Sequence, residues 1–248
     1  MHLSKSIILI TMIFVLGCGQ PGNSSDQSTK SNQTESKQTE SNQNQDSTAN
    51  KVPADPEKAT ALLDQAEQMS QKNEGFFQPF YVYSNKGART NHFIPSGFMP
   101  DGKCVTFNDA WQDDCQNGHT CIKVEYDVEC SRNGEKWAGI YWLNPANNWG
   151  QRKGGYNLSG ASKLTFWAKG QLGGEQIQEI TVGGITGNYP DSDIVVIGPI
   201  ILTNKWKEYT VDLRGKDLSY ISGGFSWTTS EEVNLEDCVF YLDEIRYE

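Results

Sequence analysis

The chain has 248 residues, of which 36% are hydrophobic and 11% aromatic, with 31 acidic against 21 basic residues and a formal net charge of −10. That length holds one domain of moderate size plus appendages. The lysines and arginines are few and form no cluster, which argues against nucleic acid as a partner and favours a neutral ligand, or one held by dipoles and stacking.

The first twenty residues, "MHLSKSIILITMIFVLGCGQ", place Lys5 ahead of an apolar run from Ile7 to Leu16 that closes at Gly17 and Cys18. The run is short for a membrane-spanning helix and has the build of a signal-peptide core, so residues 1–17 are expected to be a signal peptide. "VLGC" resembles the bacterial lipoprotein box, which implies that Cys18 is lipid-modified and becomes the first residue of a membrane-anchored chain. Gly19 stands where an aspartate is associated with inner-membrane retention in some bacteria, so the outer membrane or cell surface is the expected location.

Residues 18–54 are rich in Ser, Thr, Asn, Gln, Lys and Glu and contain no aromatic. Such a segment cannot bury enough apolar surface to offset ordering, and it is expected to be a disordered polar tether. As a flexible coil it spans on the order of 30 Å. Residues 55–75, "DPEKATALLDQAEQMSQKNEG", carry the helical pattern. Asp55 can cap, Pro56 suits the first turn, Ala59, Leu62, Leu63, Ala66 and Met69 recur at helical spacing, and Gly75 ends the run.

From Phe76 to Glu248 the period changes to two. The predicted strands are "FYVYSN", "CVTFND", "CIKVEYDVE", "WAGIYWLN", "KLTFWAKG", "QEITVGGITG", "IVVIGPIIL", "KEYTVDL", "GGFSWTTS" and "VFYLDEIRYE". Gly, Asn, Asp and Pro clusters separate them, and no helical pattern intervenes. The expected fold is all-β, an antiparallel β-sandwich or jelly roll over residues 76–248.

Beyond Cys18 there are five cysteines, Cys104, Cys115, Cys121, Cys130 and Cys238. Outside the cytoplasm they are expected to form disulfides, and an odd number leaves at least one unpaired or intermolecular. Cys104 and Cys115 bracket a loop-like segment and are the expected pair, whereas Cys121 reads as a small buried residue. The spacings of a zinc site are absent.

Strand parity sorts the aromatics. In "KLTFWAKG", Leu164, Phe166 and Ala168 read as core, leaving Trp167 on the outer face. In "WAGIYWLN", Ala138, Ile140 and Trp142 read as core, leaving Trp137, Gly139, Tyr141 and Leu143 outward. Trp149 and Trp111 fall in loops, and Trp142, Trp206 and Trp227 read as core filling. A sugar ring has an apolar C–H face and a rim of hydroxyls, which a flat aromatic ring edged by amide and guanidinium groups complements. The candidate ligand residues are therefore Trp167, Tyr141, Trp149, Trp137 and Trp111, with Asn147, Asn148 and Arg152 at the rim.

The segments "LSGASKLTFWAKG", "KWKEYTVDL" and "VFYLDEIRYE" resemble strands of bacterial non-catalytic carbohydrate-binding modules, and of galactose-binding-like domains more broadly. The resemblance runs from about Tyr81 to Glu248. It implies a β-sandwich that binds glycan on a sheet face or in end loops, and a structural calcium held partly by Asp243. "FFQPFYVYSN" lacks the acidic residue that often completes such a site.

The signals for catalysis are few. His92 and His119 read as solvated loop histidines without an adjoining nucleophile motif. Glu125, Asp127 and Glu129 share a predicted strand face, where neighbours point in parallel rather than across a cleft as glycoside hydrolysis requires. The expected function is non-catalytic carbohydrate binding by a lipid-anchored protein. The alternatives are a glycoside hydrolase or lyase and an adhesin that binds a protein partner.

Overall fold

The computed structural model describes Asp64, Gln65, residues 77–130 and residues 136–248. The signal peptide, Cys18, the tether and nearly all of the 55–75 helix lie outside the described residues. Within that helix Asp64 and Gln65 are helical, and Asp64 Oδ2 lies 2.9 Å from Tyr156 Oη on the β domain.

The strands are Phe80–Tyr83 (β1), Ile94–Met99 (β2), Val105–Trp111 (β3), Cys121–Tyr126 (β4), Trp137–Leu143 (β5), Lys163–Gly170 (β6), Gln176–Ile177 (β7), Glu179–Gly183 (β8), Ile194–Ile197 (β9), Ile200–Ile201 (β10), Lys207–Asp212 (β11), Gly223–Ser230 (β12) and Cys238–Tyr247 (β13). Sheet I has the order β11-β6-β13-β4-β3, and β1 also pairs with β13; sheet II has the order β2-β5-β12-β8-β9. All these pairings are antiparallel. The expected sandwich is what forms.

One apolar layer lies between the sheets. Phe166 and Phe240 from sheet I meet Phe225 and Trp227 from sheet II, with centroids 5.5 Å apart for Phe166–Phe225 and 5.0 Å for Trp227–Phe240. Trp142 of β5 completes the layer against Phe225 at 5.4 Å and Phe107 at 5.8 Å. Tyr247 Oη bridges the sheets directly, donating to Gly224 O at 2.5 Å.

Several expectations need correction. Strand β2, "IPSGFM", escapes the sequence pattern because Pro95 and Gly97 mark it as non-strand; it is an edge strand, where a missing donor is tolerated. Strand β4 ends at Tyr126, and Asp127 Oδ1 accepts the N–H groups of Glu129 and Cys130 at 3.0 Å each, so Asp127 and Glu129 belong to a turn. His92 is buried, its ring stacked on Phe80 at 3.7 Å. Trp142 and Trp227 are core as expected, but Trp206 is half-buried on the outer face of sheet I.

The disulfides are Cys104–Cys130 and Cys115–Cys121, and Cys238 is free and buried. The expected Cys104–Cys115 bond is thus excluded, and Cys121 is a bridged cysteine. The reason is the β3–β4 hairpin. Its register pairs Val105 with Tyr126 at one end and Trp111 with Cys121 at the other. Cys104 and Cys115 therefore flank opposite ends of a strand roughly 24 Å long.

Loop closure predicts the cost of losing each bridge. With sequence separations of 26 and 6, the chain-entropy relation gives about 3.5 kcal/mol for Cys104–Cys130 and about 2 kcal/mol for Cys115–Cys121. Urea unfolding of the Cys104→Ser/Cys130→Ser and Cys115→Ser/Cys121→Ser variants is expected to rank them in that order. The reverse ranking would show that strain or residual unfolded structure dominates.

Candidate functional site

Parity places Tyr141 as the sequence predicts. On β5, Ala138, Ile140 and Trp142 enter the core layer, and Tyr141 stands on the outer face of sheet II. The register sets Gly97 of β2 on one side of it and Ser226 of β12 on the other; Thr181 of β8 and Val196 of β9 follow in the same row. One step along, Met99, Gly139, Thr228 and Glu179 form a parallel row, and then Trp137 faces Ser230. The floor is thus short hydroxyls and glycines between aromatic rings.

Trp149 supplies a wall. It is 37% exposed, and its ring meets that of Tyr141 at 5.8 Å and 79°. Gly97 makes this approach possible, since a Cβ there would stand 2.8 Å from Tyr141 Cβ and 2.9 Å from Trp149 Cζ2. The loop is held by its own polar groups. Asn148 Nδ2 donates to Arg152 O at 2.9 Å, Trp149 N donates to Gln151 Oε1 at 2.8 Å, and Asn147 N donates to Ser96 Oγ at 2.9 Å.

These bonds revise the predicted rim. Asn148 is 1% exposed, so it shapes the loop and is not offered to a ligand. Asn147 is exposed with φ 56, a left-handed conformation asparagine tolerates. Arg152 is exposed and donates from Nη2 to Ala146 O at 2.7 Å.

A second loop packs against the first, with Tyr189 N donating to Gly150 O at 3.0 Å. Asp191 fixes it to β12. Its carboxylate accepts from Ser222 N at 2.5 Å, Ser222 Oγ at 2.7 Å, and Gly223 N and Ile185 N at 3.1 Å each. Tyr189, 41% exposed, belongs to this end of the sheet and was missed from sequence because it sits in a turn cluster, outside any alternating pattern. Tyr141 Oη donates to Gly183 O at 3.0 Å. Burial pushes its phenol up to about 12, against hydrogen bonds to Ser226 and Thr181. It stays a neutral donor through the physiological range.

Trp167 and Trp111 are not part of this site. Trp167 is outward-facing as predicted, but on β6 of sheet I, paired with Glu208 and Asp243. Trp111 ends β3 of the same sheet. The sequence-predicted set is therefore split between opposite faces: Tyr141, Trp149, Trp137, Asn147 and Arg152 on sheet II, Trp111 and Trp167 on sheet I.

Asp243 lies beside Trp167 at a β-bulge and is fully buried. Its Oδ2 accepts Asn117 N at 3.0 Å and its Oδ1 accepts Glu244 N at 2.9 Å, tying β13 to the loop closed by Cys115–Cys121. Among the described residues no group of three His, Cys, Asp or Glu side chains is placed to hold a metal. Both oxygens already accept N–H groups, and calcium takes six to eight oxygen ligands. No second carboxylate set accompanies Asp243 among the described residues.

No family model matches the chain, and no curated protein matches it in sequence. Solved structures resembling its fold include carbohydrate-binding modules. The family 30 module of the cellulosomal cellulase Cel9D-Cel44B of Clostridium thermocellum is 12% identical, covering 69% of this chain and 98% of that one at a TM-score of 0.46. The family 11 module of Lic26A-Cel5E of Clostridium thermocellum is 14% identical, with coverages of 68% and 94% and a TM-score of 0.46. A family 29 module variant complexed with cellulohexaose is 8% identical, with coverages of 68% and 89% and a TM-score of 0.40. No residue correspondence follows from similarity at this level.

The burial of Asp243 has a measurable consequence. Burial raises its carboxyl to about 7, with the Glu244 carboxylate adding to the rise and backbone N–H groups opposing it. A carboxyl raised on folding binds its proton more tightly in the folded state, so stability is fullest below the unfolded pKa near 4 and is lost as pH rises through about 7. Relative to Asp243→Asn, the wild type is expected to lose stability between pH 4 and pH 8 in denaturant titrations. A stability difference that grows with pH would contradict this.

Proposed function

We propose that the chain binds carbohydrate, without catalysis, on the outer face of sheet II. The observation that carries this is the Tyr141–Trp149 pair. Two rings meet edge to face at 5.8 Å on a surface where Trp149 remains 37% exposed, beside rows of serine and threonine hydroxyls. Leaving such rings wet is costly unless a flat, partly apolar ligand covers them. The sugar's C–H face fits the rings, and its hydroxyls fit Thr228 and the rim groups Asn147 and Arg152, while Ser226 and Thr181, 1% and 7% exposed, brace the floor beneath. Asp191, the carboxylate closest in sequence to this end of the sheet, is saturated by four donors. That employment removes Asp191 as the acid of a hydrolase, which must exchange a proton with substrate.

The same reading places the domain on a lipid anchor at Cys18, behind the polar tether, at the outer membrane or cell surface. Its task there is to hold a polysaccharide or a glycan-bearing surface close to the cell. Expressed in a bacterial host, the wild type is expected to incorporate labelled palmitate and to fractionate with membranes. Cys18→Ser is expected to do neither, and palmitate incorporation by that variant would remove the anchor assignment.

A glycan array on the full chain identifies the sugar. With the best ligand, Trp149→Ala is expected to weaken binding about 5- to 150-fold, from the 1–3 kcal/mol typical of a ring stacked on an aromatic side chain. Tyr141→Phe is expected to retain most affinity, because the lost hydroxyl serves Gly183 O inside the protein. No glycan retained, with a protein captured instead, would make the chain an adhesin. Release of reducing sugar would make it an enzyme.

A further inference from the structure

Three rings and two ammonium groups stand in one line across the outer face of sheet I, opposite the face just described. Pairing puts Lys123, Tyr241 and Lys169 in one row; Trp111, at the end of β3, flanks Lys123, and Trp206, just ahead of β11, flanks Lys169. The ring centroids step 6.2 Å from Trp111 to Tyr241 and 6.4 Å from Tyr241 to Trp206. Lys123 Nζ lies 4.6 Å from the Trp111 ring centre, and Lys169 Nζ lies 4.8 Å from Tyr241 and 5.3 Å from Trp206.

The rings and ammonium groups of this row are fixed. Trp111 Nε1 donates to Asp113 O and Trp206 Nε1 to Asp114 O, both at 2.8 Å, and both carbonyls lie in the β3–β4 loop just ahead of Cys115. Each ammonium is held by ring faces through cation–π attraction. Their counter-ions are different. The Lys169 side chain is 10% exposed while its partner Asp114 is 73% exposed; the Lys123 side chain is 19% exposed and its partner Glu125 45%. Such solvent-facing carboxylates contribute at most about 1 kcal/mol to an ion pair. A carboxylate from outside can replace them at small cost, while the positive groups stay in place.

We propose that this row is a second binding site, for an acidic glycan whose sugar rings carry carboxylates. The backbones that carry the two ammonium groups stand two strand spacings apart, about 10 Å, the scale on which an extended polyuronate presents acids on one side. The half-buried rings of Trp111 and Trp206 receive the sugars' apolar faces, Tyr241, 8% exposed, braces them from beneath, and the ammonium groups exchange Asp114 and Glu125 for the sugar carboxylates. A neutral sugar leaves the ammonium groups unused, and a small inorganic anion leaves the rings uncovered.

The test is titration of the full chain with an oligogalacturonate and with its methyl-esterified counterpart, which keeps the rings and loses the charge. The acid form is expected to bind at least tenfold more tightly than the ester, and to weaken as salt is raised. Lys123→Met and Trp206→Ala are each expected to weaken it at least tenfold while leaving the thermal midpoint of Lys123→Met near that of the wild type. Four results overturn the proposal: no binding of the acid form at low salt, equal binding by both variants and the wild type, loss of uronate binding on Trp149→Ala, or equal binding of DNA at matched charge. The third would show a single face serving all ligands, and the fourth mere counter-ion exchange.

Discussion

The inner strands of the sandwich surrender alternate side chains to the layer where Phe166, Phe225, Phe240, Trp142 and Trp227 interlock. Magnitudes show how strongly that layer constrains the rest. Burying an indole removes on the order of 200 Å² from water, worth about 5 kcal/mol before ordering costs. Trp142 Nε1 and Trp227 Nε1 are buried with no acceptor among the described residues, which costs about 1–3 kcal/mol each. Area outweighs the lost hydrogen bond, so both tryptophans stay inside. With the inner face committed in this way, Tyr141 and Trp167 have nowhere to stand but outside.

That constraint explains what could be read from the sequence. The alternation in "KLTFWAKG" and "WAGIYWLN" assigns the inner and outer residues of β6 and β5 as the structure has them, because both strands lie within their sheets with a partner on each side. Parity says which residues share a face of one strand, and stops there. It cannot say that β5 and β6 belong to different sheets, so Tyr141 and Trp167 looked like members of one site. Trp206 failed for a related reason. It precedes β11 by one residue, and its side follows from the pairing of Glu208 with Trp167, a long-range register invisible in local composition.

The cysteines and the loops show the same limit in another form. Disulfide partners are chosen by the β3–β4 register, which brings hairpin ends together, so a segment that looked like a loop between Cys104 and Cys115 misled because it is strand β3. In the loop after β5, the amide of Asn148 was legible as polar but not as already employed, since its partners at Arg152 exist only once the loop has closed. A polar residue beside an exposed ring has two possible employers, the ligand and the backbone. Backbone groups inside a tight loop have no other source of hydrogen bonds, and they claim the side chain first.

Charge links the two faces. A protein of net charge −10 repels an anion at long range, yet within a Debye length of about 8 Å at physiological salt only the nearest groups count. On sheet II the near groups are hydroxyls, rings, the exposed Glu179 and the Arg152 guanidinium, a surface with little to offer an acid. On sheet I they are two ammonium groups whose own carboxylates face solvent. The overall acidity therefore selects against polyanions that bind by charge alone, because these collect the whole repulsion with no compensating contact. It leaves room for a ligand that adds ring stacking to a few well-placed acids, since stacking is indifferent to the distant charge.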